Sequence, residues 1–444
     1  QMNNLKEELL GKIEDKSLVV GVVGLGYVGL PLAVEKAKAG YTVIGFDVQP
    51  EKVQMVNDGV NYIGDVVDSE LKAIVESGKL RATSDFESVA SCDFIAIAVP
   101  TPLDIYQQPD ISYVEKSTTD VSKHLKKGSI VVLESTTYPG TTEELMRPIL
   151  ENGSGLKCEE DFYLAFSPER VDPGNKQYKT KNTPKVVGGI GSESTEVAAA
   201  LYRNVLEGEV MTVSSPRVAE MEKILENTYR NVNIGLVNEF AKLANKMDIN
   251  MWEVVDAAKT KPYGYQAFYP GPGVGGHCIP LDPFYLTWKA REYDVHMPII
   301  EASGTVNDSM PEWVVDRSMK ILSRKFKKPL NGSKVLILGI AYKKDIDDLR
   351  DSPAFVVMDK FREEGAIIDY YDGFNPSYFN SDGSKTYSLK EINPEVVKGY
   401  DLVVITADHT NVDYQMVVDN APFVFDTKYA TRNVENNRDK IELL

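Results

Sequence analysis

Cysteine and histidine are both rare in this sequence, with three and four occurrences among 444 residues. The cysteines, Cys92, Cys158 and Cys278, are odd in number and widely spaced. They therefore predict no disulfide framework and favour a reducing compartment. No C-x-x-C pair is present and no histidine pair stands at ligand spacing near Cys278, so the sequence argues against a metal site.

Long apolar runs and an excess of positive charge are also missing. No apolar run approaches the roughly 20 residues needed to cross a bilayer, and the start of the chain is amphipathic and charged, without the apolar centre of a signal peptide. Acidic residues outnumber basic ones by 66 to 49, a net charge of −17, which argues against a nucleic-acid or anionic-membrane partner. Together these absences predict a cytoplasmic protein.

The first part of the chain alternates apolar strands with helical segments. Residues 18–23, 92–102 and 128–137 contain continuous apolar runs, as in parallel strands that are covered on both faces. Later strands are predicted in "DFYLAFSPERV" and "PKVVGGI". This βαβ alternation predicts a doubly wound domain over residues 1–212.

The rest of the chain shows two further patterns. From Pro216 onward the strand signal nearly vanishes, and "RVAEMEKILENTYRNVNIGLVNEFAKLANKMDI" carries apolar residues at helical spacing, as in a long spine helix. From "KPLNGSKVLILGIAYKKD" the strand–helix alternation returns, with an aspartate at the end of "GAIIDYYD". We predict a central helical domain over 213–315 and a second Rossmann-like domain over 316–444, giving an α/β protein with two doubly wound domains.

A glycine motif follows the first strand. Gly24, Gly26 and Gly29 form G-x-G-x-x-G between a strand and a helix, the pattern that admits a dinucleotide pyrophosphate. Asp47 ends the next strand, where a carboxylate binds ribose hydroxyls and repels a 2′-phosphate, so NAD is favoured over NADP. Lys52 either contacts the adenosine side or is a solvated helix residue.

Polar residues follow two later strands and line one helix face. Thr136 in "ESTTYPGTT" holds a water or the nicotinamide ribose, or belongs to a plain turn. Glu169, beside Arg170 in "FSPERVDPGN", is a candidate general base or an exposed ion-pair member. Lys223 and Asn227 share a face of the long helix, as an electrostatic pair in a cleft or as solvated side chains.

Cys278 is the best nucleophile candidate among the cysteines. Cys92 precedes an apolar strand and fits a packing role, whereas Cys158 adjoins two glutamates, which raise a thiol pKa. Cys278 lies in "GPGVGGHCIPLDP", where glycines give a substrate close access and Asp282 follows four residues later. His277 is adjacent and could tune the thiolate.

A dinucleotide motif together with a nucleophilic thiol indicates a particular chemistry. A simple alcohol dehydrogenase needs no thiol, but oxidation beyond the aldehyde does, since a thiohemiacetal can lose a second hydride to give a thioester. Nucleotide-binding folds at both ends fit a substrate that carries a nucleotide. A two-electron hydroxyacid dehydrogenase and a non-catalytic NAD-binding protein are the alternatives.

Six motifs resemble one family along nearly the whole chain. "GLGYVGLPLA", "ESTTYPGTT", "SPERVDPGN", "AEMEKILENTYR", "GPGVGGHCIPLDP" and "GIAYKKDIDDLRDSP" are similar to those of the UDP-glucose/GDP-mannose dehydrogenase family. The resemblance implies oxidation of a nucleotide sugar at C6 to the uronate with two NAD. It also implies a homodimer through the central helix, or a higher oligomer, and a C-terminal domain that binds the UDP-sugar.

The resemblance assigns catalytic roles by motif. It implies that Cys278 is the thioester nucleophile, that Lys223 and Asp282 stabilise the developing oxyanion with an ordered water, and that Glu169 is the base for hydrolysis. The positions that hold the catalytic water are Thr136 and Asn227.

The resemblance also implies binding residues, and no metal. The cofactor contacts are Gly24, Gly26, Tyr27, Val28, Gly29, Asp47, Lys52, Pro100, Thr101, Thr136 and Arg350. The substrate contacts are Glu169, Arg170, Lys223, Asn227, Phe268, Tyr269, Gly275 and Lys343.

Departures from the UDP-glucose pattern bear on the substrate. UDP-glucose members typically have "NPEFLxEG" and "GGSCFxKD", where this chain has "SPERVDPG" and "GGHCIPLDP". These forms resemble the branch that oxidises UDP-N-acetylhexosamines in polysaccharide pathways, above all UDP-N-acetylglucosamine. UDP-N-acetylmannosamine and UDP-glucose are the alternatives. An arginine of the UDP-glucose enzymes is replaced by Pro262, beside Lys261.

Overall fold

The computed structural model describes residues 4–106, 108–172, 175–276 and 281–444. By their internal contacts the residues divide into two compact units. The first unit contains residues 1–226 and 284–295, and the second contains 227–283 and 296–444. Among the described residues, no helix combines the length and apolar character that a membrane span requires.

An eight-stranded sheet forms the centre of the first unit, in the order β3-β2-β1-β4-β5-β6-β7-β8. Its strands are β1 (Val19–Val23), β2 (Thr42–Phe46), β3 (Leu80–Thr83), β4 (Phe94–Ile97), β5 (Ser129–Leu133), β6 (Phe162–Phe166), β7 (Lys185–Gly189) and β8 (Val210–Val213). The central strands are apolar and buried along their length, as the sequence predicts for strands covered on both faces.

Helices follow most strands of this sheet and cover it. They are α1 (Asn4–Asp15), α2 (Gly29–Lys38), α3 (Pro50–Asn57), α4 (Asp68–Glu76), α5 (Ser112–Ser122), α6 (Arg147–Ser154) and α7 (Ser192–Val205). A 3-10 turn spans Phe86–Ser91, and a π-helical segment spans Thr141–Met146.

The sheet is parallel except at one junction. Strands β1 to β6 pair in parallel, whereas β7 pairs antiparallel with β6 and parallel with β8. The doubly wound architecture is therefore confirmed, with the last two strands running in the opposite direction to the others. This reversal places the beginning of β7 at the edge where β6 ends.

A long helix begins in the first unit and ends in the second. Helix α8 (Pro216–Lys246) has 31 residues, in agreement with the predicted spine helix. The remaining helices are α9 (Met251–Ala258), α10 (Asp282–Ala290), α11 (Pro298–Phe326), α12 (Pro353–Glu363), α13 (Pro394–Lys398) and α14 (Tyr414–Asn420), with 3-10 turns at Arg291–Tyr293 and Arg438–Lys440.

A five-stranded parallel sheet forms the core of the second unit, in the order β10-β9-β13-β14-β15. Its strands are β9 (Lys334–Leu338), β10 (Ile367–Tyr371), β13 (Leu402–Ile405), β14 (Val424–Asp426) and β15 (Ile441–Leu443). A separate antiparallel ribbon consists of β11 (Ser377–Phe379) and β12 (Lys385–Tyr387). The predicted second Rossmann-like domain is thus present.

Candidate functional site

Backbone packing requires two of the three motif glycines. Gly24 has a φ of +94°, and a Cβ at this position would lie 2.5 Å from the carbonyl oxygen of Ala98. A Cβ at Gly29 would lie only 1.7 Å from the carbonyl oxygen of Gly24. These glycines hold the tight turn and the close packing of α2 on the sheet.

Gly26, the remaining motif glycine, faces open space, and this space fits a dinucleotide. A Cβ at Gly26 would meet no atom within 4 Å, just before the N-terminus of α2, where unpaired N–H groups attract phosphate. Asp47 fixes the turn by accepting from Leu25 N at 3.0 Å and from Gln49 N at 2.9 Å. The geometry of the turn therefore suits a pyrophosphate beside Gly26 and a ribose beside Asp47.

The neighbouring cofactor candidates differ in exposure. Tyr27 is exposed, Val28 directly precedes α2, and Lys52 lies half-buried in the first turn of α3. Tyr62, which the sequence analysis did not select, donates from its hydroxyl to the carbonyl oxygen of Leu25 at 2.6 Å. Burial raises the pKa of Tyr62, so the hydroxyl stays protonated and keeps this bond to the glycine turn.

The second unit repeats the hydrogen bonds of this turn without the glycine pattern. Gly339 N donates to Tyr371 O at 3.0 Å and Ile340 N to Asp372 Oδ2 at 2.8 Å, as Gly24 and Leu25 do in the first unit. Here, however, His409 Nε2 lies 2.9 Å from the same carboxylate oxygen. The Asp372 carboxylate is therefore bonded to a histidine side chain as well as to the turn.

A buried hydrogen bond joins the loops that follow β4 and β5. Thr101 Oγ1 donates to the carbonyl oxygen of Thr136 at 2.7 Å, and both residues are buried. Pro100 is exposed beside them. The structure therefore brings together the predicted cofactor residues that follow these two strands.

Glu220 of α8 holds the loop that continues from Thr136. Its carboxylate accepts from Gly140 N at 3.1 Å and from both Thr142 N and Thr142 Oγ1 at 3.2 Å. These donors lie at the N-terminus of the helical segment Thr141–Met146, where a negative charge is favourable. Burial nevertheless raises the pKa of Glu220 to about 8, and the three donors oppose this shift.

Glu169 is half-buried after β6 and does not form the exposed ion pair that the sequence left open. Its Oε1 accepts from Arg170 N at 2.7 Å and from Val171 N at 2.9 Å. No lysine or arginine side chain in the described part of the chain forms an ion pair with it. The carboxylate is therefore oriented by two backbone donors of its own loop.

Arg170 is bound to protein groups of the first unit. Its Nε lies 2.9 Å from Glu226 Oε2, one amino group donates to Pro184 O at 3.1 Å, and the other lies 3.7 Å from Glu222 Oε1. Any role of Arg170 in substrate binding would compete with these contacts. The sequence pattern could not show them, because the partners are distant in the chain.

Lys223 and Asn227 are both buried on α8, against the expectation for solvated helix side chains. In the second unit, Asn227 Nδ2 donates to Oδ2 of Asp282, the first residue of α10. Asp282 is 1% exposed. Two predicted catalytic residues, 55 positions apart, are thus directly bonded.

Gly275 and Gly276, which precede the cysteine in the sequence, pack against a later segment of the same unit. Gly276 N donates to Arg350 O at 3.0 Å, and a Cβ on Gly275 would lie 2.5 Å from Tyr342 Cβ. Arg350 itself forms a bidentate pair with Asp348, at 2.7 Å for the shortest contact, and Lys343 is half-buried. His277 and the proposed nucleophile Cys278 lie outside the described residues.

The aromatic substrate candidates pack within the second unit. Phe268 packs edge-on against Tyr229, with ring centroids 5.9 Å apart. Tyr269 donates from its hydroxyl to Asp256 Oδ1 at 2.6 Å, and this bond is the main reason why the pKa of Tyr269 rises to about 12. Lys261 is exposed, with its ammonium 5.1 Å from the ring of Tyr263.

The other two cysteines are structural. Cys92 and Cys158 are buried, and burial raises the pKa of each thiol to about 12. For Cys158 the sequence analysis named two glutamates as the cause. The structure corrects this, because burial has the larger effect and Glu159 the next. Neither thiol ionises readily, which leaves Cys278 as the candidate nucleophile.

Comparisons with known proteins decide the family. Family models described as the NAD binding, central and UDP binding domains of the UDP-glucose/GDP-mannose dehydrogenase family match residues 18–206, 217–309 and 336–433. The chain belongs to this family. It is therefore an NAD-dependent oxidoreductase with a UDP binding domain.

Similar members of the family differ in the sugar that their names give. The chain is 38% identical to a UDP-N-acetyl-D-glucosamine 6-dehydrogenase of Pseudomonas aeruginosa, over 89% of this chain and 91% of that one. It is 36% identical to a UDP-N-acetyl-D-mannosamine dehydrogenase of Pyrococcus horikoshii, over 88% and 89%. A solved UDP-D-ManNAc dehydrogenase structure from Pyrococcus horikoshii superimposes with a TM-score of 0.84 at 33% identity, covering 93% and 96%.

Proposed function

We propose that this protein oxidises UDP-N-acetylglucosamine at C6 to UDP-N-acetylglucosaminuronate in four electrons. The observation that carries the proposal is the buried Asn227–Asp282 pair, whose aspartate follows Cys278 by four residues in the sequence, while Cys92 and Cys158 are buried as structural thiols. A two-electron alcohol dehydrogenase needs no nucleophilic thiol, whereas oxidation to a carboxylate does. We keep the division into domains 1–212, 213–315 and 316–444 as part of this proposal.

Different residues of the chain act in the two oxidations and in the hydrolysis. NAD, when bound, would supply the acceptor for the hydride that C6 loses in each of the two oxidations, and the proton lost from the sugar oxygen each time would pass to water. Between the two oxidations, the Cys278 sulfur bonds to the aldehyde carbon and forms a thiohemiacetal. Lys223 donates to its charged oxygen, and Asp282 orients an ordered water that donates to the same oxygen. Loss of the second hydride leaves a thioester on Cys278.

Hydrolysis then releases the product. A water held by Thr136 and Asn227 bonds to C6, and Glu169 takes one of its protons. The C–S bond breaks with its electron pair on the Cys278 sulfur. The product leaves as the carboxylate, and the thiol is restored for the next cycle.

The choice of sugar rests on sequence and on the relatives. The motif "GGHCIPLDP" and the name of the Pseudomonas aeruginosa relative favour N-acetylglucosamine. The Pyrococcus horikoshii relatives support UDP-N-acetylmannosamine as the second candidate. UDP-glucose is third, since the chain departs from the UDP-glucose motifs.

A homodimer through α8 belongs to the same proposal. Apolar side chains recur on α8 at spacings of three, four and seven residues, each with about half its surface exposed or more, a pattern typical of a helix that packs against another copy. They are Leu225, Tyr229, Leu236, Phe240 and Leu243. We place the dimer in the cytoplasm.

A panel of substrates tests the choice of sugar. Initial rates of NADH formation are measured with UDP-N-acetylglucosamine, UDP-N-acetylmannosamine, UDP-N-acetylgalactosamine and UDP-glucose. We expect kcat/KM for UDP-N-acetylglucosamine to exceed the others by at least about 10-fold, the discrimination that about 1.4 kcal/mol provides. A higher kcat/KM for any other sugar would contradict this substrate.

A further inference from the structure

A cluster of buried polar side chains adjoins the loop that carries Glu169. We call its members the buried lysine cluster: Lys36, Glu134, Lys185 and Tyr202, each at most 4% exposed. Lys36 Nζ lies 3.4 Å from Glu134 Oε1, and the Tyr202 hydroxyl donates to the same oxygen. Buried charges are costly unless they are paired and hydrogen-bonded. Two buried lysines, of which only Lys36 is paired with a carboxylate, are therefore an unusual choice for packing alone.

Lys185 is bound to backbone instead of to a carboxylate. Its Nζ donates to the carbonyl oxygens of Ser167 and Pro168, both at 3.2 Å, and lies 4.8 Å from the ring centroid of Tyr202. In the described ranges of the chain, no acidic side chain forms an ion pair with Lys185. The two carbonyls belong to the residues directly before Glu169, so the ammonium fixes the backbone that enters this carboxylate.

The reversed direction of β7 makes this contact possible. In the antiparallel pairing, Ala165 is opposite Gly189 and Phe166 is opposite Gly188. The earlier residues of β7 therefore lie beside the loop that continues from β6, and Lys185 is the first of them. A parallel β7 would begin at the opposite edge of the sheet.

The same cluster also holds the start of the Thr136 loop. Lys36 and Tyr202 both contact Glu134, and two residues later the carbonyl oxygen of Thr136 accepts from Thr101. Burial lowers the pKa of Lys36, and the charge of Glu134 opposes this shift. Strands β5 and β6 are adjacent, so one cluster braces both loops at the carboxyl edge of the sheet.

We infer that Lys185 is a positioning residue for Glu169 in hydrolysis of the Cys278 thioester, a role that rests on the proposed function. In that step a water oxygen bonds to C6, Glu169 takes the proton, and the C–S electron pair returns to sulfur. With both preceding carbonyls held, the carboxylate keeps one orientation toward the water. Without the ammonium, the loop shifts and hydrolysis slows, while both oxidations continue.

Lys185→Met tests this role through a readout that a merely structural residue would not change. Rapid mixing with saturating NAD and UDP-N-acetylglucosamine, followed by acid quenching and intact-protein mass measurement, reports the covalent sugar adduct. We expect an unchanged burst of NADH, a steady-state rate about 10- to 100-fold lower, and an accumulated adduct, because small misplacements of catalytic groups have effects of this size. Lys185→Arg, which keeps the donors, should restore hydrolysis in part.

Controls separate this inference from the proposed function and from folding. If wild-type protein forms no uronate, the proposed function fails first, whatever Lys185 does. Lys185→Gln is a smaller change to the packing and should also accumulate the adduct, because its amide is too short to reach both carbonyls. A folded Met or Gln variant with wild-type turnover and no adduct would overturn the inference.

Discussion

Asn227 donates its amide hydrogen to the buried carboxylate of Asp282, joining α8 to the first residue of α10. In the proposed mechanism this carboxylate orients the ordered water that, together with Lys223, donates to the charge that develops on the sugar oxygen. Asp282→Asn keeps the shape and removes the charge. We expect kcat to fall by about 100-fold or more, the size seen when one preorganised electrostatic group is removed, with NAD affinity unchanged.

The control for Asp282→Asn is the same substitution at an exposed aspartate. Asp316→Asn on α11 makes the same chemical change at an exposed position and should leave kcat unaltered. Initial NADH rates at saturating substrate, with NAD dissociation constants from fluorescence titration, measure both effects. If Asp282→Asn keeps kcat within about two-fold of wild type, Asp282 has no part in transition-state stabilisation.

Gly26→Ala separates cofactor binding from folding. A Cβ here would meet no protein atom within 4 Å, so the variant should fold with an unchanged melting temperature. The added methyl would nevertheless occupy the space in which a pyrophosphate approaches the backbone. We expect NAD to bind at least about 10-fold more weakly, a loss of about 1.4 kcal/mol.

Gly11→Ala is the matched control for Gly26→Ala. Gly11 in α1 also has no atom within 4 Å of its Cβ position. Gly11→Ala should therefore leave NAD affinity intact and stabilise the helix slightly. Isothermal titration of both variants with NAD distinguishes them, and equal affinity for Gly26→Ala and wild type would place the cofactor elsewhere.

The glycine turn was predictable because its geometry is local. Gly29 is required by its contact with Gly24 in the same turn, and Gly24 by its positive φ and by Ala98 after β4. The spacing of the motif encodes the geometry within the turn. The acceptor role of Asp47 follows from its position at the end of β2. The burial of Lys223 was not predictable in this way, because helical spacing gives a shared face without showing what covers it.

The raised pKa of Glu220 predicts a specific pH dependence of stability. A carboxyl that binds its proton more tightly when folded contributes stability below its ordinary pKa of 4.5, and this contribution is lost as pH rises to about 8. Glu220→Gln resembles the protonated form at every pH. The melting temperature of wild type, relative to that of the variant, should therefore decrease from pH 5 to pH 8. The corresponding difference in the free energy of unfolding should change by at most about 1.4 kcal/mol per pH unit.

An exposed glutamate on the same helix provides the reference. Glu239→Gln should give a difference from wild type that is flat with pH, since this side chain is exposed. Thermal melts in buffers from pH 5 to 8.5 measure all three proteins. A flat difference for Glu220→Gln as well would show that Glu220 is ionised throughout this range.

The exposed stripe of α8 predicts the effect of a charge on assembly. Phe240 is 52% exposed within the stripe, and a glutamate there would place an unpaired charge in an apolar interface. Sedimentation velocity should show wild type at twice the chain mass of 49.4 kDa and Phe240→Glu at the monomer mass. Val356→Glu changes an apolar residue of α12 that is 45% exposed and should remain dimeric. A dimeric Phe240→Glu would exclude this face.

Long-range features account for what the sequence did not show. The apolar run of β7 predicts a strand but not its direction, so the contact of Lys185 with the carbonyl of Pro168 could not be foreseen. The two carboxylate partners of Arg170 lie on α8, far along the chain. Glu220 had one available signal, since it stands one helical turn before Lys223 on α8.

The most direct test of the four-electron account is the amount of NADH formed per UDP-N-acetylglucosamine consumed. Complete conversion of a limiting amount of the sugar nucleotide, with NADH followed by absorbance and the sugar by chromatography, gives this ratio. We predict two NADH for each sugar and a uronate product, and no uronate from Cys278→Ser, which should still bind NAD. One NADH for each sugar, or a fully active Cys278→Ser variant, would contradict the thioester route.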